Sequence, residues 1–414
     1  MKHFSSAVFL SIMKVKSAGI FPRKTKECIS KMIVKKPPMG WNSWNTFTEN
    51  INEQMIMETA DAMVAEGLRD AGYEYLVIDD CWAERERDEH GMLVASHTKF
   101  PHGMKYVADY VHSKGLKFGM YSCDGTLTCA GYPASLGHEF DDAQYFASVG
   151  VDYLKYDNCY KPGEIAGQML YNRMSMALKA TGRDIVFSAC NWGMEHVETW
   201  IRSTGAHLYR STGDITDTYE SMRDIAVSQL LKLPYTGPGC FNDIDMLITG
   251  LHGKGNIGFG KGCTDTEYRM HFALWCFYGA PLMIGADVRT LTPENKALLT
   301  NKALLELDQD EDCRPPFVPV FDSDNHPERF RDEMKLFRHL ANGDYAFGLF
   351  NWSDDPRQIN QNMYSIGLPE ASKYGFELTD LFTGEPVGKF NEIFRVTIPA
   401  HDCRLYRAKL VPMK

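Results

Sequence analysis

Acidic residues recur where short apolar runs stop, and this is the feature of the chain best able to do chemistry. Asp79 and Asp80 close YLVIDD, Asp124 follows LKFGMY, Asp157 follows YLKY, and Asp214, Asp243 and Asp245 stand in later segments of the same kind. Tyr121 and Asn191 occupy similar positions. One or two such acids could be helix N-caps, whose side-chain oxygens accept from first-turn N–H groups. Five separate runs ending in acids ask for another cause. Carboxyl groups gathered on one face can move protons, attack carbon, accept hydrogen bonds from hydroxyls, or ligate a divalent cation. Lys155 lies two residues before Asp157, so on a strand the two side chains share a face, and an ammonium there favours the ionised carboxylate. Arg210 precedes a Ser-Thr-Gly-Asp turn that carries Asp214 in a more open position, from which a proton could reach a departing group. The metal reading is weaker, because His102, His138 and His196 fall in loops or helices rather than at strand ends. The eleven cysteines contain no C-x-x-C, which argues against a paired-cysteine zinc site.

These residues need a scaffold that brings strand ends together. Strands are expected at 75–80, 116–121, 153–156, 185–188, 208–211 and 281–284, and helices at 53–71, 140–149, 163–180, 217–231 and 266–278. Strand–helix alternation over roughly 250 residues points to an α/β chain folded as a (β/α)8 TIM barrel, whose strand carboxyl ends converge on one face. No G-x-G-x-x-G loop supports a dinucleotide fold instead. Beyond Asp308 the pattern changes to strands at 336–340, 345–351, 376–380, 395–398 and 404–410, separated by turns such as Asn342-Gly343 and Thr383-Gly384. The expected organisation is a basic, flexible extension over 1–33, a catalytic barrel over 34–308 and an antiparallel β-sandwich over 309–414.

Composition narrows the function classes. Of 414 residues, 44% are hydrophobic and 24% charged, the balance of a globular chain. Lys and Arg number 44 against 54 acids, a net charge of −10, and no long basic run follows residue 36, so a nucleic-acid binder is disfavoured. Aromatics at 12% lean weakly towards flat, amphipathic ligands such as sugars. The apolar run from Phe4 to Met13 is signal-like, but Lys14 and Lys16 close it without a clean cleavage site. The favoured reading is a basic extension upstream of a natural start at Met32. No later stretch reaches the ~18–20 apolar residues a membrane span needs.

Taken in order, the segments PMGWNSWNTF, YEYLVIDDCW, KFGMYSCDGTLTCAGYPAS, VDYLKYDNC, YRSTGDI and GPGCFNDIDM resemble the α-galactosidases of glycoside hydrolase family 27, the melibiase group. The likeness runs from about Pro37 to the end. It implies the same barrel and β domain, a retaining glycosidase that releases terminal α-linked galactose, and no cofactor or metal. Asp157 is implied as nucleophile and Asp214 as general acid/base. Asp79 and Asp80 would accept from the galactose O4 and O6 hydroxyls, Lys155 and Arg210 would donate to ring hydroxyls, and Trp44 and Tyr121 would offer aromatic faces. Asp245, Met246, Asn191 and Trp192 complete the implied binding set, while Trp82 is divided between pocket and core. Of the family's bridges, only Cys129–Cys159 has both partners here; Glu49 and Ala206 stand where Cys81 and Cys190 would find theirs. That loss suggests a reducing, cytoplasmic setting, with secretion as the alternative. The expected partner is a small galactoside, with no nucleic acid or membrane, and a homo-oligomer is left open. Rival readings are a β-L-arabinopyranosidase, an α-N-acetylgalactosaminidase, and a sugar-binding protein without catalysis. Relatives preferring arabinopyranose tend to replace one of the Asp pair, which is intact here. Cys240-Phe241 departs from the family's Gly-Trp and is expected to alter the pocket wall. Asn191 departs from Glu near the sugar 2-hydroxyl.

Overall fold

Eight short parallel strands form one sheet in the computed structural model, which describes residues 32–258, 260–318, 330 and 332–413. They are β1 (Met39–Asn42), β2 (Tyr75–Val77), β3 (Lys117–Cys123), β4 (Tyr153–Asp157), β5 (Val186–Cys190), β6 (Leu208–Arg210), β7 (Phe241–Asp243) and β8 (Leu282–Ile284). Each pairs with its sequence neighbour, and β8 returns to β1. Nearly every strand residue is buried, as expected for a parallel sheet with helices outside and side chains packed within. The remaining seam, between β7 and β8, is closed past the end of β7, where Leu247 N donates to Met283 O (2.7 Å) and Gly285 N to Leu247 O (3.0 Å). Gly40 lets β1 and β2 meet: a Cβ there would lie 2.3 Å from Tyr75 O.

The connecting helices bury one face against this ring. In Glu53–Ala65, capped by Asn52 accepting from Met55 N, the buried side includes Met55, Ile56, Ala60 and Met63. The expected continuation to Ala71 is broken by Gly67, whose φ of 77° starts the separate turn Leu68–Ala71. Helix Asp265–Tyr278, opened by a Thr264/Glu267 capping box, is buried on almost all sides. It lies between the barrel and the C-terminal strands, which is why its sequence shows no polar face. Strands β1 and β7 and the helices Gly103–Ser113, Pro293–Leu299 and Lys302–Asp308 were not among the sequence expectations.

The C-terminal part is antiparallel. It contains β9 (Glu333–His339), β10 (Tyr345–Asn351), β11 (Arg357–Asn362), β12 (Tyr374–Asp380), β13 (Pro386–Phe390), β14 (Ile393–Ile398) and β15 (Asp402–Pro412). Five strands order as β13-β12-β15-β10-β9, and β11 pairs with β14. Phe347, Leu349 and Phe376 from the larger sheet share a core with Ile359, Phe394 and Ile398 from the smaller one, the packing of a sandwich. The buried Arg338 of β9 donates to Cys276 O (3.3 Å), tying this sheet to the enclosed helix. Among the described residues no helix is long and apolar enough to cross a membrane. The expectations for residues 1–31 lie outside the described residues.

Candidate active site

A cavity of about 260 Å³ opens at the carboxyl ends of the barrel strands. Trp44, Asp79, Asp80, Tyr121, Lys155, Asp157, Trp192, Arg210, Asp214, Asp245 and Met246 all line it, with Cys129 and Cys159 at its edge. Residues from at least six strand ends thus meet, as alternation and convergence require. The volume is slightly below the ~300–1,000 Å³ of drug-sized pockets and suits one sugar ring. A larger, open groove of about 660 Å³ also includes Lys36, Glu306, Glu311 and Arg407, but its charges pair with one another, Lys36 with Glu311 and Arg407 with Glu306.

Local backbone chemistry explains the placement. β2 ends at Val77, so Asp79 and Asp80 leave the alternation of the strand and both reach the cavity. Asp79 accepts from Asn42 Nδ2 (2.7 Å), Lys155 Nζ (2.8 Å) and Asp80 N (2.9 Å). Asp80 accepts from Cys81 N (2.7 Å) and Ala130 N (2.9 Å). Burial raises the Asp80 carboxyl above its ordinary range against those backbone donors. On β4, Lys155 and Asp157 face the cavity together, beside Tyr121 and Cys123 of β3. Tyr121 Oη donates to Asp157 Oδ2 (3.2 Å), and Asn158 N donates to Asp157 Oδ1 (3.0 Å).

The two candidate catalytic carboxyls have opposite environments. Asp157 is buried, and burial lifts it above the ordinary carboxyl value, with Lys155 and Arg210 pulling the other way. Lys155 favours the ionised form of Asp157, as expected, but its ammonium hydrogen-bonds Asp79, and desolvation of Asp157 outweighs its field. Burial disfavours the Lys155 charge, but Asp79 and Asp157 more than offset this and raise its affinity for the proton. Asp214 is 65% exposed and ion-paired with Arg210. Desolvation would raise it, yet the guanidinium's charge and hydrogen bond win and lower it. Asp245, held at a φ of 76°, accepts from Ile215 N (2.7 Å) and sits 3.4 Å from Arg210. It anchors both the cation and the turn that presents Asp214.

Asn191 is the expected binding residue that the structure does not bring to the cavity. Its amide donates to Met194 O (2.8 Å) and its carbonyl accepts from Gly193 N (3.3 Å), so the side chain is spent on its own loop. Trp82 is core: it stacks on Tyr145 and donates to Tyr121 O (2.9 Å). Cys240 and Phe241 are buried in the barrel and do not form the pocket wall. Sequence reasoning missed Asn45, Asn256 and Ile257, which line the cavity, and Asn42, which holds Asp79. Asn42 and Asn45 stand in the quoted PMGWNSWNTF segment, a signal that could have found them. Asn256 and Ile257 come from the β7–β8 connection, where Asn256 N donates to Asn45 O (2.9 Å). Cys129 and Cys159 form a disulfide with Cα atoms 5.1 Å apart; Cys81 and Cys190 are unbridged and buried.

Strand-end carboxyls around a cavity about the size of one sugar ring suit a glycosidase. The profile of the melibiase family described as "Alpha galactosidase A" matches residues 36–310, and that of the "Alpha galactosidase C-terminal beta sandwich domain" matches residues 336–408. The chain belongs to this α-galactosidase family, glycoside hydrolase family 27. It is 42% identical over 376 residues to "Alpha-galactosidase 3" of Arabidopsis thaliana, covering 90% of this chain and 82% of that one. The structure of the α-galactosidase of Saccharomyces cerevisiae with raffinose superposes with a TM-score of 0.81 at 31% identity, covering 91% of this chain and 98% of the other. A β-L-arabinopyranosidase of Geobacillus stearothermophilus reaches a TM-score of 0.79 at 22% identity over 91% of this chain and 97% of its own, a likeness of fold alone.

Proposed function

We propose that this protein is an α-galactosidase that releases terminal α-linked galactose with retention, using Asp157 as nucleophile and Asp214 as acid/base. The observation that carries the reading is the convergence of Asp157 and Asp214 on the one small cavity that also holds the intact Asp79–Asp80 pair. An axial O4 puts two hydroxyls on one side of the galactose ring, and adjacent carboxylates can accept from both. Lys155 and Arg210 supply donors to the same ring. Asp214, at the exposed rim, protonates the departing oxygen as Asp157 attacks the anomeric carbon from the β face. A covalent β-galactosyl ester results. Water entering from the vacated side is deprotonated by Asp214 and releases α-galactose.

The Arg210–Asp214 ion pair bears on this role, because a general acid must hold its proton. A bound sugar that engages the Arg210 N–H groups, with an aglycone shielding Asp214, raises the carboxyl towards the protonated form. The test is a panel of p-nitrophenyl α-galactoside, β-L-arabinopyranoside and α-N-acetylgalactosaminide, with NMR of the first-formed sugar. Fastest release from the α-galactoside, with α-galactose appearing first, is expected. Initial β-galactose would overturn the retaining assignment, and a faster rival glycoside would overturn the substrate.

A further inference from the structure

We propose that the Cys129–Cys159 pair, once reduced, forms with Asp157 a three-ligand site for a thiolate-seeking divalent cation such as Zn²⁺, and that occupation of this site shuts the enzyme down. The site is inhibitory and takes no part in the hydrolytic reaction. Its binding half stands on geometry, and its inhibitory half rests on the reading of Asp157 as nucleophile.

One ligand atom from each of Cys129, Asp157 and Cys159 already lies within 4.8 Å of the others. Zinc bonds of about 2.3 Å to sulfur and 2.0–2.2 Å to carboxylate oxygen require tetrahedral ligand atoms to be about 3.3–3.8 Å apart. The two sulfurs must therefore separate from bonding distance, which side-chain rotation can supply. Two thiolates and one carboxylate leave a fourth position for water.

The backbone keeps the ligands together without the S–S bond. Asp124 N donates to Asp157 O (2.9 Å), and Thr126 N to Tyr160 O (3.4 Å). Cys123 Sγ donates to Cys159 O (3.1 Å), and Ala130 N is held by Asp80 (2.9 Å). Gly125 allows this approach: a Cβ there would sit 2.0 Å from Cys159 O. Tyr121 Oη, 3.3 Å from Cys129 Sγ and 3.2 Å from Asp157 Oδ2, already joins two of the three ligands. Cys129 is exposed and Cys159 half-buried, whereas the other eight cysteines among the described residues are buried and unbridged. Reductant and metal can thus reach this pair from solvent.

The chemistry balances with a trialkylphosphine as reductant. The phosphine gives two electrons to the S–S bond and takes oxygen from water to become its oxide, and the two sulfurs become thiols. Zn²⁺ then displaces the two thiol protons and binds the Asp157 carboxylate, which can no longer attack an anomeric carbon.

The test combines spectroscopy with kinetics on the full chain. Co²⁺ titrated into phosphine-treated enzyme should give a thiolate-to-metal charge-transfer band saturating at one equivalent. The oxidised enzyme should give none, and galactose should compete. Cys159→Ser, or iodoacetamide treatment of the reduced wild type, should abolish the band, the second keeping the test valid if the variant misfolds. Phosphine alone and Zn²⁺ alone should leave turnover intact. Together they should lower kcat/KM about 100-fold at free zinc near 100 times its dissociation constant, reversibly with EDTA, since occupancy sets the residual fraction. A missing band, or one that survives alkylation, overturns the site. Loss of activity on reduction alone makes the bridge structural and overturns the switch. A band that depends on the cysteines while Zn²⁺ leaves turnover untouched also overturns the switch, and places the failure in the nucleophile assignment rather than in the binding site.

Discussion

Replacing Lys155 with Met keeps much of its length but removes a cation that sits among buried carboxylates. The ammonium is 2.8 Å from Asp79, with its side chain 13% exposed, and its field also reaches Asp157. Removing one partner from a buried ion pair typically costs about 3–5 kcal/mol, because the remaining charge is left uncompensated. Asp79 keeps Asn42 and Asp80 N, and Asp157 keeps Tyr121 and Asn158 N, which places the loss towards the lower figure. With an unfolding entropy of about 2.1 cal/mol/K per residue, 3–5 kcal/mol corresponds to a fall of roughly 3–6 °C in Tm. The pH dependence has a definite sign. Burial already raises Asp157 in the folded enzyme, and losing Lys155 raises it further. A carboxyl raised on folding penalises the fold fully above its folded pKa, and the penalty disappears below the unfolded value. The Tm deficit of Lys155→Met relative to wild type should therefore be largest near neutrality and shrink as the solution is acidified. Differential scanning calorimetry of both proteins at several pH values measures it. A deficit under about 1 °C, or one that is constant with pH, would refute the reasoning.

Asp157→Gly should lose nearly all turnover of p-nitrophenyl α-galactoside, and azide should restore release of nitrophenol with β-galactosyl azide as product; an α-azide would place the nucleophile elsewhere. Asp214→Ala should cleave melibiose far more poorly relative to p-nitrophenyl α-galactoside than wild type does, because protonation matters most for a poor leaving group; equal damage to both would make Asp214 structural. In the free enzyme burial raises Asp157 while Arg210 lowers Asp214, so the productive form, Asp157 ionised with Asp214 protonated, is a minor one. The kcat/KM profile should still be bell-shaped, its acid limb set by the lower of the two titrations and its alkaline limb by the higher. Substrate that occupies Arg210 should raise Asp214 and shift the kcat profile to higher pH than that of kcat/KM, and coincident profiles would remove Arg210 from this role.

Local rules were enough for several features of the site. The two-residue spacing of Lys155 and Asp157 placed both on one face of β4, because alternation is a property of any strand. The adjacency of Asp79 and Asp80 required the strand to end before them if both were to serve one ligand, and β2 does end at Val77. Repeated apolar runs ending in acids identified the barrel and its functional face. What the sequence left open was where each side chain spends its hydrogen bonds. Lys155 is near Asp157 in the chain but bonds Asp79, which only the closing of the sheet brings within 2.8 Å. Asn191 stands at a strand end like the others, yet its short amide reaches Met194 O and Gly193 N within its own loop. Asn256 and Ile257 reach the cavity through a connection anchored on Asn45, a pairing over two hundred residues that no local pattern encodes. The opposite shifts of Asp157 and Asp214 likewise follow from tertiary structure: both are aspartates at the same barrel face, and burial acts on one while a guanidinium and solvent act on the other. Periodicity and turn chemistry are short-range and can be read along the chain. Desolvation and charge pairing depend on which distant residues the fold makes neighbours.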